Sequence, residues 1–141
     1  MNNLDFLTGL LKTIQRSQTE MRGILDFLMG SSLRITIQTQ LKEFDKIETE
    51  TLAIAQQRGW ELKALDPFMR FMADRIIRFK LSRRNSDSRI AEIMIRNNTK
   101  DMIYTLKNLH QYRGQDSRVC ILSQKLLDCA TAYIRQMQRY L

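Results

Sequence analysis

The stretch NLDFLTGLLKTIQRSQTEMRGILDFLM, residues 3–29, decides the fold class. Leu4, Leu7, Leu11, Ile14, Met21, Leu25 and Leu28 follow at steps of three and four, and Gln18 is the one interruption. Such spacing keeps apolar side chains on one side of an α-helix. Phe6, Leu10, Ile24 and Phe27 widen the line. It therefore reads as the buried face of a helix in a bundle rather than a narrow coiled-coil seam.

The same rhythm recurs downstream. Gly30-Ser31-Ser32 reads as a tight stop that also supplies an N-cap. A second helix is expected over 33–58, with Ile37, Leu41, Phe44, Ile47, Thr51, Leu52, Ile54 and Ala55 inward. Gly59 suits the left-handed position that closes it. The short link makes the first two helices antiparallel neighbours. Asp66-Pro67 opens a third helix whose stripe is Leu65, Phe68, Met69, Met72, Ile76 and Phe79, ending near Ser82. A fourth runs from about Asp87 to Tyr112 on Ile90, Ile93, Met94, Met102, Ile103, Leu106 and Leu109. Asn97-Asn98-Thr99 predicts a kink or break there, because these side chains compete for backbone hydrogen bonds. After Gly114-Gln115-Asp116 a last helix reaches the C-terminus on Val119, Leu122, Leu126, Cys129, Tyr133, Met137 and Tyr140.

Composition agrees. One Pro and five Gly in 141 residues leave little turn material for a many-stranded sheet fold. At 43% hydrophobic and 27% charged residues, the chain is neither disordered nor collagen-like. The expected class is all-α: residues 1–141 as one domain, an antiparallel four-helix bundle with an additional helical segment. That segment is either a fifth bundle member or a long crossover that makes the second and fourth helices parallel. No basic leader opens the chain, and no stretch nears the ~18 uninterrupted apolar residues of a spanning helix. A cytoplasmic protein with no membrane partner is the expectation. Cys120 and Cys129 would stand about 13 Å apart on one helix, too far for a disulfide, so both read as buried apolar thiols.

Ala55-Gln56-Gln57-Arg58-Gly59-Trp60-Glu61, the run Ile90-Ala91-Glu92-Ile93-Met94-Ile95-Arg96-Asn97-Asn98-Thr99 and Leu106-Lys107-Asn108 resemble small ferritin-like proteins of spore-forming bacteria, spore-coat-type members among them. The resemblance implies a ferritin-like helical bundle, possible spore association and a poorly defined role.

A ferritin-like di-iron centre draws on carboxylates and two Glu-x-x-His pairs, because i and i+3 share a helix face. The chain has a single histidine, His110, and Lys107 stands three residues before it. The nearest substitute is Glu48, but Thr51 occupies the histidine position. No cofactor is expected, and Glu48 is at most a candidate ligand of a divergent metal site. If it is inside the bundle it needs a donor, and Gln18 or an arginine is the expected one. Neither a nucleophile motif nor a glycine-rich phosphate loop is present, so no enzyme is expected. His110 reads as a surface residue near a helix C-terminus. Met69, Met72, Met94, Met102 and Met137 read as core filling, with a Met-lined groove the alternative.

The net charge of +8 is uneven: residues 1–69 carry −1, residues 70–100 carry +6 and residues 101–141 carry +3. Arg70, Arg75, Arg78, Lys80, Arg83, Arg84 and Arg89 form a candidate basic patch for nucleic acid or an acidic partner. The leading expectation remains a non-catalytic structural or protein-interaction module that binds itself or another protein.

Overall fold

α1 (Asn3–Leu25) begins where Asn2, in extended conformation, accepts a hydrogen bond from the Asp5 N–H at 2.8 Å. Four more helices follow: α2 (Ser32–Arg58), α3 (Pro67–Ser82), α4 (Asp87–Gln111) and α5 (Ser117–Gln138). The computed structural model describes residues 1–28 and 31–141, and no strand occurs among them. Ser31, Asp66, Ser86 and Asp116 cap the later helices, each accepting from a first-turn N–H that would otherwise lack a partner. Gly59 closes α2 at φ 71, a left-handed conformation that costs glycine nothing. Met29 and Gly30, assigned from the sequence to the end of the first helix and its turn, lie outside the described residues.

Side-chain contacts fix the helix directions. Gln18 of α1 reaches Asp45 of α2, and Arg34 reaches back to the carbonyls of Leu25 and Leu28, so these helices are antiparallel. α4 runs antiparallel to α1: Ser17 meets Asp101, Glu20 meets Asn97, and Gly9 faces Tyr104 and Asn108. α5 runs antiparallel to α2, from Arg58–Asp116 at one end to Thr36–Tyr140 at the other. α4 and α5 pack along each other after a short turn. α1, α2, α5 and α4 thus close a ring, and α2 and α4 point the same way at opposite corners. Leu7, Ile14, Leu33, Ile37, Ile90 and Met137 are fully buried inside it. Phe6 stacks on Tyr112 at 4.6 Å, and Phe44 tilts against Tyr133 at 5.6 Å.

α3 stands outside this ring, on α1 and parallel to it. The Leu65 N–H donates to Gln15 Oε1 at 2.7 Å, Ile77 sits on Gly23, and Arg78 reaches Asp26 at 2.5 Å. Here the structure reverses an expectation. Phe68 and Phe79 point into solvent, Met69, Met72 and Ile76 are exposed along an open groove, and Ile77 and Leu81 are buried instead. The physical reason lies in the seat that α1 offers. Gly23 presents bare backbone, which accepts one branched side chain at close range, and the Arg78 clamp to Asp26 and Asp74 fixes the rotation.

The second reversal is in α4, which runs through Asn97-Asn98-Thr99 without a break. Asn97 finds a partner off the backbone ladder, and Thr99 shares an i−4 carbonyl without breaking it. Asn97 Nδ2 donates to the Glu20 carboxylate at 2.7 Å, and Thr99 donates to the carbonyl of Ile95 at 2.8 Å. An unbroken helix keeps its inward line, so Asn98, Asp101 and Thr105 are buried, while Ile103 and Leu106 face out. Three smaller corrections follow. Leu4 and Leu52 are exposed, α1 and α5 end at Leu25 and Gln138, and Cys120 is exposed with only Cys129 partly covered.

Gly23→Ala tests how closely α3 sits. A Cβ there would fall 2.7 Å from Ile77 Cγ2. Alanine in a helix interior is otherwise about 1 kcal/mol better than glycine. The variant is expected to lose stability in urea and to speed tryptic cleavage between residues 63 and 84. A gain of that size with unchanged cleavage would show that α3 is not seated against Gly23.

Candidate functional site

Two polar clusters flank α1. The first joins it to α2. Gln15 donates to Glu48 at 3.0 Å, and Gln18 donates to Asp45 at 2.8 Å and to Glu48 at 3.4 Å. Gln18 and Glu48, the two polar interruptions of the apolar lines, therefore meet, and the amides serve as the carboxylate's donors. Thr51, in the position a histidine ligand would take, is fully buried and donates to the Ile47 carbonyl at 2.7 Å. No group of three or more His, Cys, Asp or Glu side chains among the described residues is placed to hold a metal ion. The amide donors around Glu48 suit a hydrogen-bonded carboxylate and do not suit a cation.

The second cluster joins α1 to α4. Asp101 pairs with Arg16 and accepts from Ser17 at 2.9 Å. Glu20 accepts from Asn97 and lies 3.6 Å from the Arg16 guanidinium. Burial pushes the Glu20 pKa up to about 7, and the neighbouring Asp101 charge adds to the rise. Arg16, Lys80 and the Asn97 amide pull the other way. Asp101 is raised too, by burial first, with Arg16 and Ser17 opposing.

This cluster forms the polar end of a groove between α1, α3 and α4. Leu65, Met69, Met72 and Ile76 line the apolar end, which encloses about 190 Å³. Lys80, Lys100 and Tyr104 border the polar end. A carboxyl that titrates near neutrality can take up and release a proton at physiological pH. The sequence reading missed both acids. Asp101 had a signal, because Ile90, Met94, Asn98, Asp101 and Thr105 keep steps of four, four, three and four along α4. Glu20 lies beside the α1 line, and nothing local marks it.

The basic residues of 70–89 do not converge. Arg78 is held by Asp74 at 2.9 Å and by Asp26. Arg89 reaches Glu92 at 3.5 Å on α4. Arg75 lies over the Phe71 ring, 5.8 Å from its centroid. Arg70 is half-buried, Lys80 borders the groove, and Arg83 and Arg84 are exposed where α3 ends. His110 is exposed in the last turn of α4. The thiol nearest a carboxylate is Cys129, whose Sγ lies 3.7 Å from Glu43. Burial raises the Cys129 pKa, and the Glu43 charge raises it further, so the thiol stays protonated and a weak nucleophile.

No protein-family model, no curated protein and no solved structure matches the chain. Among the described residues no helix is long and apolar enough to cross a membrane.

The Glu20 shift makes stability depend on pH. Its folded value of about 7 lies above the ordinary 4.5. The folded state therefore binds this proton more tightly. That stabilisation is complete below pH ~4.5 and is lost as pH rises toward ~7, a span of up to about 3 kcal/mol. Urea unfolding of wild type and Glu20→Gln at pH 5 and pH 8 measures it. The variant is expected to remove most of the wild type's decline, and identical pH slopes would contradict the assignment.

Proposed function

We propose that the protein is a non-catalytic interaction module that self-associates. Its frame is a ferritin-like antiparallel four-helix bundle of α1, α2, α4 and α5, with α3 carried on the outside. The observation behind the functional part is the outward face of α3. Phe68 and Phe79 are 65% and 73% exposed, and Phe71 lies between them at 57%. Monomeric soluble proteins seldom leave so large a contiguous apolar face in water, and such faces ordinarily serve association. Support for the ferritin-like part comes from the parallel placement of α2 and α4, whose connection runs through α3 along the outside. The engagement of Glu48 by two glutamine amides supports a bundle that keeps the frame without a metal.

Light scattering across a wide concentration range tests the functional part. One chain weighs 16.7 kDa. The mass is expected to rise above that value as concentration rises, and a constant one-chain mass up to millimolar concentration would overturn self-association.

A further inference from the structure

We propose that the outward face of α3 pairs with the same face of a second copy, the two helices running antiparallel about a two-fold axis near Asp74. The inference rests on the self-association reading above and adds the pairing geometry that reading leaves open.

Three observations carry it. The first is area. Phe68, Phe71 and Phe79 are 57% to 73% exposed on one side of a 16-residue helix, and the exposed parts of Met69, Met72 and Ile76 continue that face to the open groove beside α1. At about 150–250 Å² for a large aromatic side chain, they leave on the order of 600 Å² uncovered. A standard interface buries about 800 Å² per partner, so this face supplies most of one side. The second is the charge at its ends. Glu61, Lys63 and Asp66 are exposed where α3 begins and leave one net negative charge there, and Lys80, Arg83 and Arg84 are exposed where it ends. An antiparallel pair centred near Asp74 lays each acidic start on the partner's basic end, and it does so twice. A parallel pair would set like charges side by side. The third is the centre of the face. Its one charged residue, Arg75, lies over the Phe71 ring, 5.8 Å from the centroid, and cation–π contact there offsets part of the cost of covering the guanidinium. A two-fold contact must be self-complementary, and the charges at the two ends of this face meet that condition.

The experiment uses the full chain in sedimentation equilibrium. Phe68→Ser with Phe79→Ser is expected to weaken dimerisation by at least about tenfold, the order expected when central aromatic anchors are lost. Both residues are exposed, and circular dichroism confirms that the variant folds. Arg83→Glu with Arg84→Glu makes both ends of α3 acidic, whereas Glu61→Lys with Asp66→Ser makes both ends basic and keeps a capping hydroxyl. Each double variant alone is expected to dimerise weakly, and an equimolar mixture is expected to recover wild-type association as a heterodimer. A wild type that associates equally well after the Phe68→Ser and Phe79→Ser changes would keep the self-association reading and overturn this surface. A mixture that fails to recover would overturn the antiparallel geometry. A strictly monomeric wild type would overturn both. If that monomer binds equimolar phosphatidylcholine and phosphatidylserine vesicles, and the Phe68→Ser, Phe79→Ser variant does not, the face belongs to a lipid surface and the pairing is overturned.

Discussion

α1 touches every other helix of the protein, and the structure depends on what that demands of one helix. A helix covered on most of its circumference cannot be amphipathic in the simple sense. Thirteen of its 23 residues are buried, and Gln15, Ser17 and Gln18 are among them. Burial of those groups is tolerable only because each neighbouring helix brings a partner for them. α2 offers Asp45 and Glu48, and α4 offers Asp101. Apolar contact alone would let the helices slide by a turn at modest cost. Paired amides and carboxylates do not permit that, so the two polar clusters set the register of α1 against α2 and α4.

Most of this frame was legible in the sequence. Helix positions followed from apolar spacing and from the capping residues Ser31, Asp66 and Gly59, because these are local effects. The inner line of α2 was read almost completely, with Leu52 as its one outward residue, and the cost of burying a polar group alone pointed to Gln18 or an arginine as the donor to Glu48, of which the structure has Gln18. What failed was rotation. On α3 the widest apolar stripe was assigned to the core, but the seat on α1 takes only Ile77 and Leu81. A stripe shows that a surface should be covered and does not say which molecule covers it. On α4 a break expected at Asn97 would have turned the second half of the helix. Glu20, distant in sequence, supplies the acceptor that leaves the backbone ladder intact, and local reasoning cannot see it.

The candidate site was less legible for the same reason. Glu48 stood out because it interrupts a line. Glu20 and Asp101 became a pair only when α1 and α4 crossed, and the lift in the Glu20 pKa is a property of that crossing. The basic run over 70–89 looks concentrated in the sequence, yet three-dimensional placement spends Arg78 on Asp26 and Asp74 and Arg89 on Glu92. What survives as exposed positive charge is Arg75 at the middle of α3 and Lys80, Arg83 and Arg84 toward its end.

The thin attachment of α3 divides the molecule into two tiers. The ring is held by a continuous core, whereas α3 is held by two fully buried side chains, one backbone hydrogen bond to Gln15 and the Arg78 clamp. The free energy needed to lift α3 off is therefore far smaller than that needed to open the ring. Its amides are expected to exchange with solvent ahead of those of α1, α2, α4 and α5, and the most apolar exposed surface sits on the helix with the fewest buried side chains.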